Sequence, residues 1–378
     1  MKKIIFDVDG VLLSEQRFFD VSGLTVWEML FGKNCLGLPT EGEDFDATRV
    51  TDGQIAAIRA RAFGQETLFA WLVAHGMNSN WDMVHAHLVT TFALMADTYR
   101  KRTGGEILPL SIETETDLKR VGALLTGLPI PKAAEILNFW ETKLSDVIGA
   151  GILEKLSEVM APIFGTVPAW SRPGSAFWRM HTEMFQAWYW GDDEFIRFHG
   201  RLPYCPGKIG FLKSEIPLAP KEAISALFRR LKTNGWDIAV ATGRLRNETE
   251  IAFRALGWLS AFDSLFLATA TDAEEAAKNL DIDFPGKPHP FLYECAVYGR
   301  RPERYAAYAA GTETVAEGST VYVIGDSYAD ILGAKAIGAK PIGVLTGLLG
   351  ERAAEMFAKE GVPCVKNVMD IERIFWGK

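Results

Sequence analysis

Two aspartates separated by one residue stand near the start of the chain, in the run Asp7-Val8-Asp9-Gly10. In an extended backbone, residues two apart point to the same side, so both carboxylates can face one site. Carboxylates this close repel each other unless a cation compensates, and Mg²⁺ is a hard ion that prefers oxygen ligands. One acid could then attack a phosphorus atom while the other handles the proton of the reacting oxygen. A strand-end turn in which acids merely favour the loop is the alternative.

Two further segments carry residue types that suit phosphate binding. Thr242 and Gly243 follow an apolar run and could present a hydroxyl and a backbone N–H to a phosphate oxygen. Lys287, in the segment GKPHP, stands between a glycine and prolines, a restraint that suits a cation aimed at a phosphate. His289 of the same segment is interpreted as structural. An ordinary turn and a solvated loop lysine are the corresponding alternatives.

A second pair of acids, Asp326 and Asp330, lies in the segment GDSYAD, as its second and its last residue. Asp326 closes an apolar run, and Asp330 falls about one turn into a helix that begins there. The pair could close a cation site with Asp7 and Asp9. Helix capping by Asp326 or Ser327 is the competing interpretation.

The elements that must position these residues follow a regular order. Helical periodicity, as in residues 224–231, separates most of the apolar runs, and this alternation predicts a parallel sheet covered on both faces. We therefore expect an α/β fold with a doubly wound parallel sheet, whose sites form beyond the carboxyl ends of the strands. The predicted strands are residues 4–6, 238–241, 265–267, 321–324 and 342–345.

Residues 13–213 break that rhythm. They hold Trp27, Trp71, Trp81, Trp140, Trp170, Trp178, Trp188 and Trp190, eight of the eleven tryptophans. Their clearer periodic parts, residues 135–147 and 177–190, are helical in pattern. We expect a large, mainly α-helical domain inserted after the first strand, with the α/β core formed by residues 1–12 and 214–378. The two prolines in residues 213–220 predict the returning linker.

The insertion contains side chains with two possible readings. The aromatic segment 170–190 could form a pocket for a ring or sugar, with Arg172 or Arg179 pairing to an anion. It is interpreted instead as the core of the inserted domain, since a helical domain of this size needs one. The histidines are likewise interpreted as structural because no acid or cysteine stands at metal-ligand spacing from them: His85, His87 and His181.

Composition excludes several classes of function. The formal net charge of −8 argues against nucleic acid as a partner, because binding a phosphate backbone needs a basic surface. No apolar run reaches the roughly 18 to 20 residues that span a bilayer, and no signal-peptide core follows the first residues. We expect a cytoplasmic protein. The four cysteines share no CxxC spacing and are interpreted as isolated reduced thiols: Cys35, Cys205, Cys295 and Cys364.

Taken in order, the four segments resemble the motifs of the haloacid dehalogenase (HAD) superfamily of aspartate-nucleophile phosphotransferases. GKPHP and GDSYAD are similar to the form found in its phosphoglycolate-phosphatase-like branch. The resemblance covers residues 1–12 and about 214–350, and it implies a helical cap in the insertion, although about 200 residues is long for a cap at this position. The matching residues are Asp7 and Asp9, then Thr242, then Lys287, then Asp326 and Asp330.

The resemblance implies a Mg²⁺-dependent phosphatase, a phosphoric monoester hydrolase, acting on a small phosphate ester. Asp7 would form an aspartyl-phosphate, and Asp9 would protonate the leaving oxygen, activate water and bind the metal through its backbone carbonyl. Thr242 with the N–H of Gly243 would hold the phosphoryl oxygens, and Lys287 would neutralise their charge. Asp326 would ligate the metal with Asp7, and Asp330 would support the site directly or through another ligand.

Two other functions remain open at this level. A phosphomutase acting on a sugar phosphate needs the same aspartate pair and differs in excluding water from the phosphorylated enzyme. A catalytically silent binding protein would keep the fold and use its enlarged insertion for a partner. Dehalogenation is disfavoured because a halide leaving group gives Asp9 and a metal no purpose. The residues identify neither the substrate nor the oligomeric state.

Overall fold

The computed structural model describes residues 1–40, 49–77, 79–149 and 151–376. The chain divides into two compact units, which are Met1–Glu15 with Leu212–Lys378, and Gln16–Phe211. We call the first the α/β core and the second the helical insert. The boundaries expected from the sequence fell after residues 12 and 213. None of the helices in the described ranges is long and apolar enough to span a membrane.

The helical insert is built from α-helices joined by loops. Local signals set their ends: the side chain of Ser79, for example, accepts a hydrogen bond from the backbone of Asp82 and so begins the longest helix. In the described residues, the helices of the insert are α1 (Gln16–Phe31), α2 (Asp52–Phe63), α3 (Thr67–Ala74), α4 (Asn80–Arg102), α5 (Glu115–Leu125), α6 (Ala133–Lys143), α7 (Gly151–Glu158), α8 (Ala161–Phe164), α9 (Ala176–Trp190) and α10 (Asp192–His199).

Aromatic side chains form the core of the insert. Trp170, Phe177 and Trp188 are almost fully buried, and the ring of Trp170 meets that of Phe177 edge-on at 6.2 Å between centroids. Arg172 and Arg179 are exposed, and Arg179 donates a hydrogen bond to a backbone carbonyl at 2.6 Å. The aromatic segment therefore serves as the interior of the insert, as the sequence interpretation held.

Three histidines of the insert, His85, His87 and His181, are buried and bonded to protein atoms. His85 Nδ1 lies 2.9 Å from His181 Nε2, and His85 Nε2 lies 2.8 Å from the carbonyl oxygen of Ser171. His87 Nε2 lies 3.0 Å from the carbonyl oxygen of Ala62. Burial lowers the pKa of His85 to about 4 and that of His87 to about 4, so both rings are held neutral.

The α/β core contains a six-stranded sheet in which each recorded pairing is parallel. The strand order is β3-β2-β1-β4-β5-β6, so the first strand lies at the centre. The strands are β1 (Lys2–Phe6), β2 (Asp237–Ala241), β3 (Leu267–Ala268), β4 (Thr320–Gly325), β5 (Lys340–Val344) and β6 (Cys364–Val365). The described helices are α11 (Lys221–Thr233), α12 (Arg246–Leu256), α13 (Ala270–Leu280), α14 (Phe291–Tyr298), α15 (Tyr305–Ala309), α16 (Tyr328–Ala336), α17 (Ala353–Lys359) and α18 (Ile371–Trp376).

Both faces of the sheet are buried. Ile4 and Phe6 of β1 pack with Phe228 of α11 in one apolar cluster. Ile5, which points to the opposite face, packs with Tyr293 of α14 in another. Strands buried on both faces read as continuous apolar runs, which is why the central strands are recognisable in the sequence. The predicted fold class, a doubly wound parallel sheet with a large helical insertion after the first strand, is confirmed.

The edge strands differ from expectation. The predicted strand at residues 265–267 is observed as Leu267–Ala268, preceded by a 3₁₀ turn over Ser264–Phe266. The carboxylate of Asp263 accepts a hydrogen bond from the backbone of Leu265 at 2.9 Å and begins this turn. Strand β6 was not predicted, because two residues are too few for a period-two pattern.

Candidate active site

The predicted site residues leave the sheet at one edge. Phe6, which ends β1, pairs with Val240 of β2 on one side and with Ile324 of β4 on the other. The backbone of Asp7 then donates to the carbonyl oxygen of Ile324 at 2.9 Å, which extends the pairing by one residue. Because the three central strands are parallel, the residues that follow them meet beyond the same edge.

Three carboxylates converge at this edge. Asp7, Asp326 and Asp330 each offer an oxygen, and these oxygens lie within 4.8 Å of one another. Burial, assisted by the neighbouring acids, raises the pKa of Asp7 to about 7. Burial and the charges of Asp330 and Asp7 also raise the pKa of Asp326 well above its ordinary value. Both shifts express first the cost of burying a charged carboxylate and second the repulsion between neighbouring acids.

This donor set fits a hard divalent cation. Mg²⁺ is bound through carboxylate oxygens, and the three side chains supply oxygen donors only. Two glycines leave space for the carboxylate of Asp326. A Cβ added to Gly347 would lie 1.8 Å from Asp326 Oδ2, and one added to Gly10 would lie 2.5 Å from the same atom. Gly10 also has a φ of +71°, a conformation that other residues rarely adopt.

Lys287 joins two of the acids. Its Nζ lies 2.8 Å from Asp7 Oδ2 and 2.8 Å from Asp330 Oδ1. Burial alone would lower the pKa of this lysine, but the charges of Asp330 and Asp7 outweigh it and hold the pKa above its ordinary value. The ammonium group therefore stays charged between the two carboxylates. It lies where a cation can neutralise an anion bound beside Asp7.

Asp330 combines two roles that the sequence presented as alternatives. It is the third residue of α16, where its carboxylate and the side chain of Ser327 form a reciprocal cap. Its other oxygen accepts hydrogen bonds from Lys287 at 2.8 Å and from the hydroxyl of Tyr293 at 2.9 Å. Although burial would raise the pKa of Asp330, the charge of Lys287 and these hydrogen bonds lower it.

Asp9 faces an arginine instead of the acidic cluster. Arg244 Nε lies 2.9 Å from both carboxylate oxygens of Asp9, and a second guanidinium nitrogen lies 2.5 Å from Oδ1. The remaining arm of Arg244 donates to Glu215 Oε1 at 2.6 Å. The side chains of Arg244 and Glu215 are 1% and 0% exposed, so their ion pair is shielded from solvent, whereas the side chain of Asp9 is 23% exposed.

Thr242 and Gly243 follow β2, next to β1 in the sheet. The backbone of Thr242 donates to the carbonyl oxygen of Ala268 at 3.0 Å, and its hydroxyl oxygen accepts from the backbone of Arg244 at 3.2 Å. Thr242 is buried, whereas Gly243 is exposed, and a Cβ added there would meet no atom within 4 Å. The turn therefore leaves open space beside the exposed backbone of Gly243.

The structure thus brings together Asp7, Lys287, Asp326 and Asp330, and it turns the side chain of Asp9 toward Arg244. Sequence reasoning missed Arg244, Glu215 and Tyr293. Arg244 directly follows the Thr-Gly pair, so its position next to a predicted motif was a usable signal. Glu215 and Tyr293 carried no such signal.

Comparisons with known proteins agree with this architecture. The family model described as HAD-hydrolase-like matches residues 284–371, a stretch that includes Lys287, Asp326 and Asp330. An X-ray structure from a structural genomics consortium is 31% identical, with a TM-score of 0.85, over 99% of this chain and 98% of that one. No curated protein matches the chain significantly.

More distant solved structures are also similar. A putative β-phosphoglucomutase from Thermotoga maritima is 14% identical, with a TM-score of 0.40, over 99% of this chain and 98% of that one. A HAD family hydrolase from Deinococcus radiodurans, with bound phosphate and sodium, is 12% identical, with a TM-score of 0.38, over 99% and 95%. At these TM-scores the likeness carries no functional inference.

Together, the family model and the structure that is 31% identical assign the chain to a family. The chain belongs to the haloacid dehalogenase superfamily of hydrolases.

Proposed function

We propose that this protein is a Mg²⁺-dependent phosphatase that hydrolyses a small phosphate ester through an aspartyl-phosphate on Asp7. The observation that carries the proposal is the meeting of three carboxylates with one half-buried lysine at the carboxyl edge of the sheet. Phosphoryl transfer is catalysed mainly by positioning and by charge stabilisation, and this arrangement offers both.

Asp7 is the proposed nucleophile. Its Oδ1 accepts a hydrogen bond from the backbone of Val8 at 2.7 Å, and its Oδ2 lies 2.8 Å from Lys287 Nζ. These contacts hold the carboxylate in one orientation, so an oxygen can attack phosphorus without a large entropic cost. Lys287 would neutralise charge on the entering phosphate, and Thr242 with the N–H of Gly243 would bind its oxygens.

The proposed metal ligands are the carboxylates of Asp7 and Asp326 and the backbone carbonyl of Asp9, with Asp330 supporting the site. When bound, Mg²⁺ would neutralise the acids and the phosphate oxygens between them. The side chain of Asp9 would pass a proton to the leaving oxygen and later take one from water. The proposed location of the protein is the cytoplasm, and its proposed substrate is a small molecule.

A phosphate-release assay tests the proposal. The purified chain is given a generic aryl phosphate and a panel of phosphometabolites, with Mg²⁺ or with EDTA. We expect Mg²⁺-dependent release that EDTA abolishes and added Mg²⁺ restores. Asp7→Asn should lower kcat by about 10⁴-fold or more, because the nucleophile is gone. Asp193→Asn, at an exposed aspartate of α10, is the matched control and should leave kcat unchanged.

Each alternative function has its own outcome in this assay. An isomerised sugar phosphate in place of free phosphate would identify a phosphomutase. A chain that releases no phosphate from any ester with Mg²⁺ would point to a silent binding protein. Full activity of Asp7→Asn would reject the covalent scheme.

A further inference from the structure

A second group of metal-ligand side chains lies inside the helical insert. Glu28, Cys35 and Cys205 each offer one donor atom, and these atoms lie within 4.8 Å of one another. The sequence interpretation treated the four cysteines as isolated, because no two of them share a short spacing. The fold nevertheless brings Cys35 and Cys205 together from opposite ends of the insert.

The three residues come from segments that are tied to one another. Glu28 lies on α1 and is 2% exposed, and Cys35, in the loop after α1, is fully buried. Cys205 is half-buried and lies in the loop that follows α10. The side-chain amide of Asn34 donates to the carbonyl oxygen of Tyr204 at 2.7 Å and links the two loops next to the cysteines.

The second loop is also held from the other side. Asp192, the first residue of α10, accepts hydrogen bonds from the backbone of Gly207 at 2.5 Å and of Lys208 at 3.1 Å. The backbone of Asp192 donates in return to the carbonyl oxygen of Lys208 at 2.9 Å. The donor atoms therefore sit on a fixed frame, which reduces the entropy lost when they bind an ion.

A buried lysine completes the cluster. The side chain of Lys208 is 0% exposed, and its Nζ donates to Glu28 Oε1 at 3.2 Å and to the carbonyl oxygen of Cys205. The second oxygen, Oε2, lies 3.0 Å from the same Nζ but has no hydrogen bond of acceptable geometry. Both oxygens of Glu28 therefore lie within ion-pair distance of Lys208, and Oε2, which accepts no hydrogen bond, can also bind an ion.

We propose that Glu28, Cys35 and Cys205 form a binding site for a thiophilic divalent cation of the Zn²⁺ type inside the helical insert. Two sulfur donors and one carboxylate oxygen suit Zn²⁺, whereas Mg²⁺ requires oxygen ligands. Three protein ligands leave the fourth tetrahedral position to water, which can enter because Cys205 is only half-buried.

Charge balance supports this assignment. Two thiolates and one carboxylate carry three negative charges in a buried place, which is unfavourable without compensation. A divalent cation together with the ammonium of Lys208 balances them. The site is chemically distinct from the acidic cluster of the core, whose donors are all oxygens. We therefore expect the acidic cluster of the core to prefer Mg²⁺ and the thiol-containing site of the insert to prefer Zn²⁺.

Metal analysis of the full-length chain tests the proposal. The protein is purified without chelator, its zinc content is measured by mass spectrometry, and the chelated protein is then titrated with Co²⁺. We expect one tightly bound zinc per chain and, with Co²⁺, a thiolate-to-cobalt charge-transfer band that excess Mg²⁺ does not remove. Zinc should also raise the thermal midpoint of the chelated chain, since an ion that binds the folded state stabilises it.

Variants locate the site. Cys205→Ser and Cys35→Ser should each weaken zinc binding by about 100-fold or more, since changes outside the ligand shell alone cost 10- to 100-fold. Cys364→Ser, at an exposed cysteine, is the matched control and should bind zinc as the wild-type chain does. Asp7→Asn should also keep the zinc, which separates this proposal from the proposed phosphatase activity.

Two results would overturn the proposal. The first is a Co²⁺-loaded wild-type chain without a thiolate charge-transfer band, a measurement that needs no variant to fold. The second is a purified chain in which two thiols become free only after reduction and in which mass spectrometry finds Cys35 linked to Cys205. That result would make the pair a disulfide instead of a metal site.

Discussion

Arg244 Nε lies 2.9 Å from both carboxylate oxygens of Asp9, and the side chain of Arg244 is 1% exposed. Both oxygens of Asp9 therefore accept hydrogen bonds from the same side chain. A carboxylate held in this way is oriented to take a proton from water, but it offers no O–H to a leaving group. In the proposed mechanism the contact would favour the base step, and it would have to open at one oxygen before Asp9 could act as an acid.

We predict that Arg244→Lys slows hydrolysis of the phosphorylated enzyme more than its formation. A lysine cannot reach Asp9 and Glu215 with the fixed fork of a guanidinium, so Asp9 loses its orientation. The expected loss in kcat is about 10- to 100-fold, because misplacing a catalytic group by about 1 Å has this effect.

Rapid-quench analysis checks this prediction, because aspartyl-phosphate should accumulate in Arg244→Lys and not in the wild-type chain. Arg254→Lys, at an exposed arginine of α12, is the control. Equal loss in both half-reactions would assign Arg244 a purely structural role.

We predict that Lys287→Met lowers kcat by about 10²- to 10³-fold, the cost of removing one charged donor from a preorganised site. Its removal also leaves Asp7 and Asp330 buried without the cation that now lies 2.8 Å from each. Steady-state kinetics on an aryl phosphate measure the loss. Lys278→Met, at an exposed lysine of α13, should be unaffected. Unchanged kcat in Lys287→Met would remove this residue from the proposed mechanism.

We predict that Gly347→Ala weakens activation by Mg²⁺ by about tenfold or more, since displaced ligand geometry costs 10- to 100-fold in metal affinity. The added methyl would lie 1.8 Å from Asp326 Oδ2, so the carboxylate must move. Activity measured against Mg²⁺ concentration should give a higher half-saturation point. Gly53→Ala, where the nearest atom is 4.0 Å away, is the matched control. An unchanged half-saturation point would mean that Asp326 does not bind the metal.

We predict that acid destabilises the helical insert through its buried histidines. The pKa of His85 is lowered by burial from 6.5 to about 4, so the unfolded chain binds more protons than the folded chain between these values. The stability that comes from keeping His85 neutral is therefore fully present above about pH 6.5, and it is lost as the pH drops toward 4. Acidification from about pH 7.5 to about pH 5 should lower the free energy of unfolding by about 2 kcal/mol through His85 alone.

Urea unfolding followed by tryptophan fluorescence checks this expectation, because eight of the eleven tryptophans lie in the insert. The variant His85→Leu/His181→Leu should lose less stability on acidification than the wild type. The carbonyl of Ser171 keeps a hydrogen bond from Ser157 at 2.7 Å, so the variant leaves it satisfied. The same loss in both chains would show that other groups govern the acid response.

Much of the core was predictable because its signals are local. β1, β2 and β4 are buried on both faces, so their residues form short apolar runs that end in the motif residues. The parallel arrangement then requires Asp7, Thr242 and Asp326 to follow neighbouring strands. The strand at residues 265–267 was partly wrong because an aspartate-capped turn replaces its first residues.

The sequence alone determined which strand ends would carry acids and a hydroxyl, and which later loop would carry a lysine, because strand burial and turn chemistry depend on neighbouring residues. Only the tertiary structure decided that Arg244 holds Asp9, that Tyr293 donates to Asp330, and that Cys35 meets Cys205. Such pairs depend on how separate segments pack in space, and no periodicity along the chain encodes which distant side chains come into contact.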